Sequence, residues 1–432
     1  MTTKPTVADD VTPGLGRSLV PLFALALSMA IGFTVMSSFA TVQDSAKSEL
    51  GLSDTLLALI QGVGAAVPLV LFSIPIGILV DRFNRVRLLL ALAGLWTAGT
   101  LLTAYAPGAG ALFAGRMMTG IGTTGALTAA LSLGADLCRP EQRGRALLIV
   151  SLGKAVGQAG AFALTGLLFG VFAAGGFGLL PWRATHVALA AIALVLIVPV
   201  LFLREPLRRE VAAGNRAPFR VLAGELWARR RFLLPLFVGQ VSVVMADAAA
   251  GIWAAPVLTR VYHQSPDAFA GWMGALILAA GIGGAVLGGL AADYGQKSGR
   301  RGGVLIGAVI AATIGTPAAL FPIAGSIPLF GAALGTLILA GTVTGLITSV
   351  ALTVLIPNEL RGLCIGAFIA IAGLIGFGLA PTLVTLVSGM LGGEAHLAPA
   401  LAIVGAVTSA LSVLAFFVAM RSAPSSAVDQ PI

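Results

Sequence analysis

The chain has 432 residues, of which 58% are hydrophobic and 10% charged, with a formal net charge of +9. A soluble protein carries about a quarter charged residues, so this sequence lacks the polar surface that a water-soluble fold of its size requires. No basic face interleaves with exposed aromatics, which argues against nucleic acid as a partner; the excess Lys and Arg instead suit loops on the cytoplasmic side of a membrane.

Repeated apolar runs of about 20 residues or more, rich in Leu, Ala, Val and Gly, read as membrane-spanning helices. Barrel strands would be short and alternating. A polar N-terminus of about 16 residues precedes the first run, which is too long for a signal-peptide core and is expected to be a retained helix. The predicted spans lie at about 17–42, 55–80, 87–106, 111–137, 144–173 and 183–203, then 232–258, 268–292, 302–323, 327–354, 361–391 and 397–420. Residues 204–231 form the one long charged connection, with Arg204, Arg208, Arg209, Arg216, Arg220 and Arg229 to Arg231, and room for a short amphipathic surface helix. The expected fold is therefore an all-α membrane protein of twelve transmembrane helices in two six-helix bundles, residues 1–203 and 232–432, joined by a cytoplasmic linker.

Of the 26 Lys and Arg residues, all but Lys47, Arg116, Lys154, Arg183 and Arg260 fall in the tails, the linker and the loops after spans 2, 4, 8 and 10. That asymmetry predicts both termini on the cytoplasmic side of the cytoplasmic (inner) membrane. Cys138 and Cys364 lie near predicted cytoplasmic helix ends and imply neither a disulfide framework nor a metal site.

Two loops recur. Gly77, Asp81, Arg82, Arg85 and Arg87 follow the second span, and Gly289, Asp293, Lys297, Arg300 and Arg301 follow the eighth. Arg139-Pro140-Glu141 and Arg143-Gly144 follow the fourth span, and Pro357, Glu359 and Arg361-Gly362 follow the tenth. A six-helix unit used twice is a transporter plan with binding near the midplane between the halves.

These loops carry a resemblance to the major facilitator superfamily over nearly the whole chain. The run from Pro75 through Gly77, Asp81, Arg82, Asn84 and Arg85, the stretch Gly115-Arg116 to Gly120 and Gly122, Trp182-Arg183 and Glu205-Pro206 are similar to its Spinster-like branch. Two positions depart from that branch. Val35-Met36-Ser37-Ser38 replaces an Asp-Arg pair in the first helix, and Thr123-Thr124 stands where a Glu is usual. The resemblance implies that helices 1, 4, 7 and 10 line a central cavity, that helix 5 flanks the interface, and that the loop after span 2 latches the outward-open state. Gly77, Asp81, Arg82 and Arg85 fit that latch, with Asp136 and Arg143 nearby and Asp293 as the second copy.

Charged groups inside a membrane cost about 2.5–3.5 kcal/mol each on insertion scales, so each is a functional candidate. Three lie well within the spans: Arg116, Lys154 and Asp247. At 1.5 Å per residue Lys154 sits roughly 15 Å deep and Asp247 roughly 22 Å deep from the inner side. Arg116 and Asp247 share a depth nearer the outer face; the resemblance, which puts helices 4 and 7 on the central cavity, implies that they face each other and pair across the halves as the molecule alternates, with snorkelling of Arg116 and local pairing of Asp247 as the alternative. Lys154 and Gln158 share a helical face, as do Gln240 and Asp247, and Gln61 is a further intramembrane amide. Each Gln is either a substrate contact or an interhelical hydrogen bond.

Burial of a carboxylate disfavours its charged form and an approaching cation reverses this, so a carboxylate moving between the two environments loads and releases a proton. His186, His263 and His396 fall near outer helix ends, which leaves Asp247 as the expected proton carrier. Two deep cations against one carboxylate make a net positive cavity. The leading expectation is a proton-coupled symporter of a small organic anion, bound by Arg116, Lys154 and the amides, working by alternating access as a monomer without cofactor or metal. Export of drugs or an amphipathic lipid is the alternative within transport. A non-transporting sensor is the alternative of another class. No nucleophile, acid–base pair or metal cluster suggests an enzyme.

Overall fold

The computed structural model describes residues 15–139, 142–175, 178–206 and 219–424. All its regular elements are helical. The expected linker arginines Arg208, Arg209 and Arg216, and Pro140 and Glu141 of the loop after the fourth span, lie outside the described residues.

The N-terminal half contains α1 (Leu15–Ser37), α2 (Phe39–Leu50), α3 (Asp54–Leu71), α4 (Ser73–Arg82), α5 (Arg85–Ala104), α6 (Ala109–Asp136), α7 (Arg143–Ala173), α8 (Pro181–Leu196) and α9 (Val198–Leu201). The linker holds α10 (Phe219–Ala228). The C-terminal half contains α11 (Arg230–Arg260), α12 (Pro266–Lys297), α13 (Ile306–Ala318), α14 (Ile327–Leu355), α15 (Asn358–Ile371), α16 (Ala380–Met390) and α17 (Leu397–Ser422). A π-helical stretch, Ala372–Leu379, joins α15 to α16. Eleven of these helical segments are long and apolar enough to cross a membrane. α6, with 28 residues, is diluted by Gly and Thr but packs between α5 and α3, so the helical rods number six on each side of the linker, as the sequence suggests.

Several expected spans are broken rods. The first runs on to Leu50, with a break at Ser38. The second breaks at Phe72, between Pro68 and Pro75, where a missing N–H and ring clash weaken the helix on both sides. Pro235 and Pro256 lie inside the continuous α11. Local signals set the starts: Ser53, Asn84 and Ser326 accept hydrogen bonds from the N–H groups of Leu56, Arg87 and Leu329 at 3.2, 2.9 and 3.4 Å.

With no water to drive helices together inside a bilayer, close packing depends on small residues. Gly153 and Gly157 of α7 lie against α1, where a Cβ would overlap the carbonyls of Ala26 and Ala30. Gly274 of α12 faces the Ala159 carbonyl of α7, 2.7 Å from where its Cβ would sit, which fastens one half to the other.

Three apolar clusters result. One lies in the N-terminal half around Leu25, Trp96 and Leu133, and one in the C-terminal half around Leu236, Leu305 and Phe416. The third is shared by both halves: Phe39, Leu57 and Trp182 pack with Trp253, Phe269 and Phe330. The halves are therefore sealed at the end that carries Leu50 and Asp54.

Gly157→Leu is expected to force α7 off α1 and lower stability by about 1–3 kcal/mol, the cost of overpacking. Gly94→Ala, with open space at its Cβ, should be neutral or slightly stabilising. Thermal unfolding of the two purified variants in detergent distinguishes them.

Candidate functional site

The sealed end is held by a charge cluster across the two halves. Arg260, at the end of α11, donates to Asp44 of α2 at 2.7 and 2.9 Å and to Asp54 of α3 at 2.6 and 2.8 Å. Lys47 bonds Asp54 at 2.6 Å and also Glu394, whose other oxygen accepts the Asp54 N–H at 2.7 Å. Beneath this cluster Gln43 donates to the Ile252 carbonyl of α11 at 2.5 Å and accepts from Gln61 of α3. Behind it Glu49 accepts from Trp182 at 2.6 Å and from Arg183 at 3.0 Å, tying α8 to α2.

Arg116 of α6 reaches the break in the first rod. It donates to the carbonyls of Val35, at 3.4 Å, and Met36, and its guanidinium lies 5.6 Å from the Phe39 ring centroid. The break at Ser38 interrupts the helical ladder there, and the guanidinium takes up the freed carbonyls, as a cation at a helix C-terminus should. The expected partner, Asp247, is elsewhere. Its carboxylate packs on Gly341 of α14, where any side chain would overlap it, and Oδ1 is buried without a hydrogen bond. Arg116 and Asp247 are thus not brought together in this conformation; each is turned into its own half.

One face of α7 passes from buried to exposed along its length. Lys154, Gln158, Phe162 and Thr165 recur at positions i, i+4, i+8 and i+11, one face of the helix. Lys154 and Gln158 are exposed, whereas Phe162 and Thr165 are 5% and 0% exposed. The same face is therefore sealed at one end of the helix and open at the other. A separate stripe, Leu152, Val156 and Leu167, is exposed along the whole rod and suits lipid. Lys154 has no acidic partner among the described residues and stands 5.4 Å from the Phe33 ring centroid. Gln61 and Gln240 do not share this exposure. Gln61 bonds Gln43, and Gln240 accepts from Thr348 at 3.0 Å, so both make interhelical bonds, one of the two uses expected of them.

At the opposite, basic end Arg85 is the hub. It pairs with Asp136 at 2.5 Å and Glu205 at 2.7 Å and donates to the carbonyls of Ser132 and Pro206. Arg143 donates to the Ala135 carbonyl at 3.1 Å. Asp81, Arg82 and Asp293 stand apart from this network: all three are exposed and form no ion pair among the described residues. A Cβ at Gly77 would touch nothing. Of the residues expected to form a latch, Arg85, Asp136 and Arg143 are thus bonded inside the N-terminal half, whereas Asp81, Arg82 and Asp293 are exposed.

Gln43, Asp44 and Lys47 lie past residue 42, where hydropathy ends the first predicted span, and only the fold carries the rod on to Leu50. Lys47 and Arg260 are two of the five cations outside the basic loops and tails, and Asp44 and Asp54 flank Lys47 in the chain. No group of His, Cys, Asp and Glu among the described residues could hold a metal.

Arg116→Ala leaves the Met36 carbonyl without its donor, while Val35 keeps the Ser38 hydroxyl at 3.1 Å; the loss should cost about 1–3 kcal/mol. Arg116→Lys should recover part of the loss. The check is the midpoint of thermal unfolding for the three proteins in one detergent.

The Major Facilitator Superfamily profile matches residues 22–381. A triacylglyceride transporter of Mycobacteroides abscessus is 34% identical over 203 residues, a match that spans 46% of this chain and 35% of that protein. The fold is shared with a bacterial homologue of the human lysosomal transporter Spinster in an inward-facing, unoccupied conformation, with a TM-score of 0.75, 23% identity and coverage of 94% of this chain and 95% of that one. A D-xylose–proton symporter superimposes with a TM-score of 0.65 at 17% identity, over 92% and 97% of the two chains. With its twelve rods, its two-fold loops and a profile match over most of its length, the chain belongs to the Major Facilitator Superfamily.

Proposed function

We propose that the protein is a secondary active transporter that carries a small organic anion, coupled to protons, by alternating access. Its basic end then faces the cytoplasm, by the rule that Lys and Arg accumulate there, and the conformation described is open inwards. The observation that carries this reading is Lys154: a lone ammonium on the open part of the cleft face, beside Gln158 and without a carboxylate to neutralise it. Such a group attracts an anionic substrate and gives it one charge-assisted hydrogen bond. Arg116, committed to the carbonyls of the first rod, shapes the cavity wall and adds positive potential from behind it.

Asp247 is the proton carrier in this reading. Its unpartnered oxygen against Gly341 suits a carboxyl that is neutral when packed and ionised when the rods separate. The free members at the basic end, Asp81, Arg82 and Asp293, complete the latch with Arg85, Asp136 and Arg143 when the other end opens. The open space at Gly77 is then filled by the approaching half.

A second reading, transport of an amphipathic lipid, is favoured by the half-chain similarity to a triacylglyceride transporter. It predicts movement of lipid without dependence on Lys154.

In proteoliposomes, a panel of monocarboxylates and dicarboxylates should include one taken up in response to an inward proton gradient. Lys154→Gln should reduce that uptake by about tenfold or more, the loss of one charge-assisted contact of ~1.5–3 kcal/mol. Asp247→Asn should abolish accumulation against a gradient while leaving exchange. Gradient-independent uptake, or full uptake by Lys154→Gln, would overturn the reading; lipid movement instead would support the second.

A further inference from the structure

At the basic end a groove of about 470 Å³ opens between α13 and α17. Three guanidiniums rim it, those of Arg300, Arg301 and Arg421, and its floor is apolar, with Ile306, Ile310 and Phe417. No carboxylate is among its lining residues, and none of the three arginines is in an ion pair among the described residues. Clustered like charges without counterions are unfavourable unless an anion joins them.

The rim is built rather than accidental. Gly302 takes a left-handed conformation, φ 66°, and lies so close to the end of α17 that a Cβ would overlap the Met420 carbonyl. That contact fixes the turn carrying Arg300 and Arg301 beside Arg421. Arg301 Nε donates to the Ala423 carbonyl at 2.6 Å, which holds the guanidinium in place with its other nitrogens uncommitted. The Arg421 guanidinium is stacked 4.4 Å from the Phe417 ring centroid, which restrains it in the same way.

The floor continues along the rods. Ile310 and Ile314 of α13 are 55% and 51% exposed, and Leu414 of α17 is 65% exposed. From Ile306 to Ile314 the path is about 12 Å at the helical rise. A soluble phosphate would use the rim and leave this apolar strip idle. A molecule with an anionic head and a hydrocarbon chain uses both, and basic pockets between transmembrane helices suit anionic lipid headgroups.

We propose that this groove binds one anionic glycerophospholipid. Its phosphate sits among Arg300, Arg301 and Arg421, and one acyl chain runs over Phe417 and along Ile306 and Ile310. The site faces the bilayer and is separate from the cleft, so it stands or falls independently of the transported substrate.

The test uses the delipidated full chain in detergent. Phosphatidylglycerol, phosphatidylcholine and soluble glycerol 3-phosphate are each titrated, with native mass spectrometry and thermal unfolding as readouts. Phosphatidylglycerol should bind one to one and raise the unfolding midpoint; the other two should do neither. Arg300→Gln with Arg421→Gln should bind phosphatidylglycerol about thirtyfold more weakly, at roughly fivefold per guanidinium, and Arg421→Gln alone provides the measurement if the pair does not fold. Arg145→Gln, an exposed charge elsewhere at the basic end, should bind like the wild type. The proposal is overturned by equal binding of the two lipids, by undiminished binding in the arginine variants, by an equal loss in Arg145→Gln, or by glycerol 3-phosphate binding as tightly as the lipid.

Discussion

The ion cluster of Arg260 with Asp44 and Asp54 is the constraint on which the rest of the conformation depends. Asp54 is 3% exposed and has two cations on it, Arg260 from one half and Lys47 from its own. Removing one member of such a cluster leaves a desolvated charge without its counterpart, which costs more than the pair itself contributes. The charges sit on a shared apolar core of Phe39, Trp182, Trp253 and Phe330, so polar and apolar terms close the same end. Toward the other end Lys154 and Gln158 of α7 are exposed, as are Asp81 and Asp293, which form no ion pair among the described residues.

A second constraint comes from the bilayer. A helix broken inside a membrane must satisfy its freed carbonyls from within the protein. At Ser38 the donors are Arg116, a neighbour from α6, and the Ser38 hydroxyl itself. The break separates α2 from α1, and α2 carries Gln43, Asp44 and Lys47, all of which take part in bonds to the C-terminal half. α2 is therefore a distinct segment that belongs to the seal, anchored beside the break by a buried cation. That cation is committed to the carbonyls at the break.

Much of this architecture was legible because hydropathy, charge asymmetry and repeated loops are local signals. Apolar runs located the rods, and the paired loops after spans 2 and 8 pointed to two halves. The partners of single polar residues were not local. Arg116 and Asp247 have suitable depths for a pair, yet depth along a helix does not set the direction of a side chain. That direction depends on the break at Ser38 and on the space left by Gly341. Gln61 and Gln240 illustrate the same limit: amides in apolar rods are equally suited to a substrate and to a neighbouring helix, and only packing decides. Lys154 was readable because helical spacing alone places it with Gln158, on the face that Phe162 later seals.

The central claim is that the two ends open and close reciprocally, governed by the cluster at Arg260. Pulsed dipolar spectroscopy in lipid nanodiscs tests it most directly, with the native Cys138 and Cys364 replaced. One spin-label pair is placed at the sealed end, Ser48→Cys with Val261→Cys, and one at the basic end, Arg87→Cys with Tyr294→Cys. In the otherwise unaltered chain the first distance should be short and the second long. Adding Arg260→Ala should create a population in which the first lengthens and the second shortens together. A first distance that lengthens while the second stays fixed, or two distances that both ignore the loss of Arg260, would contradict the account.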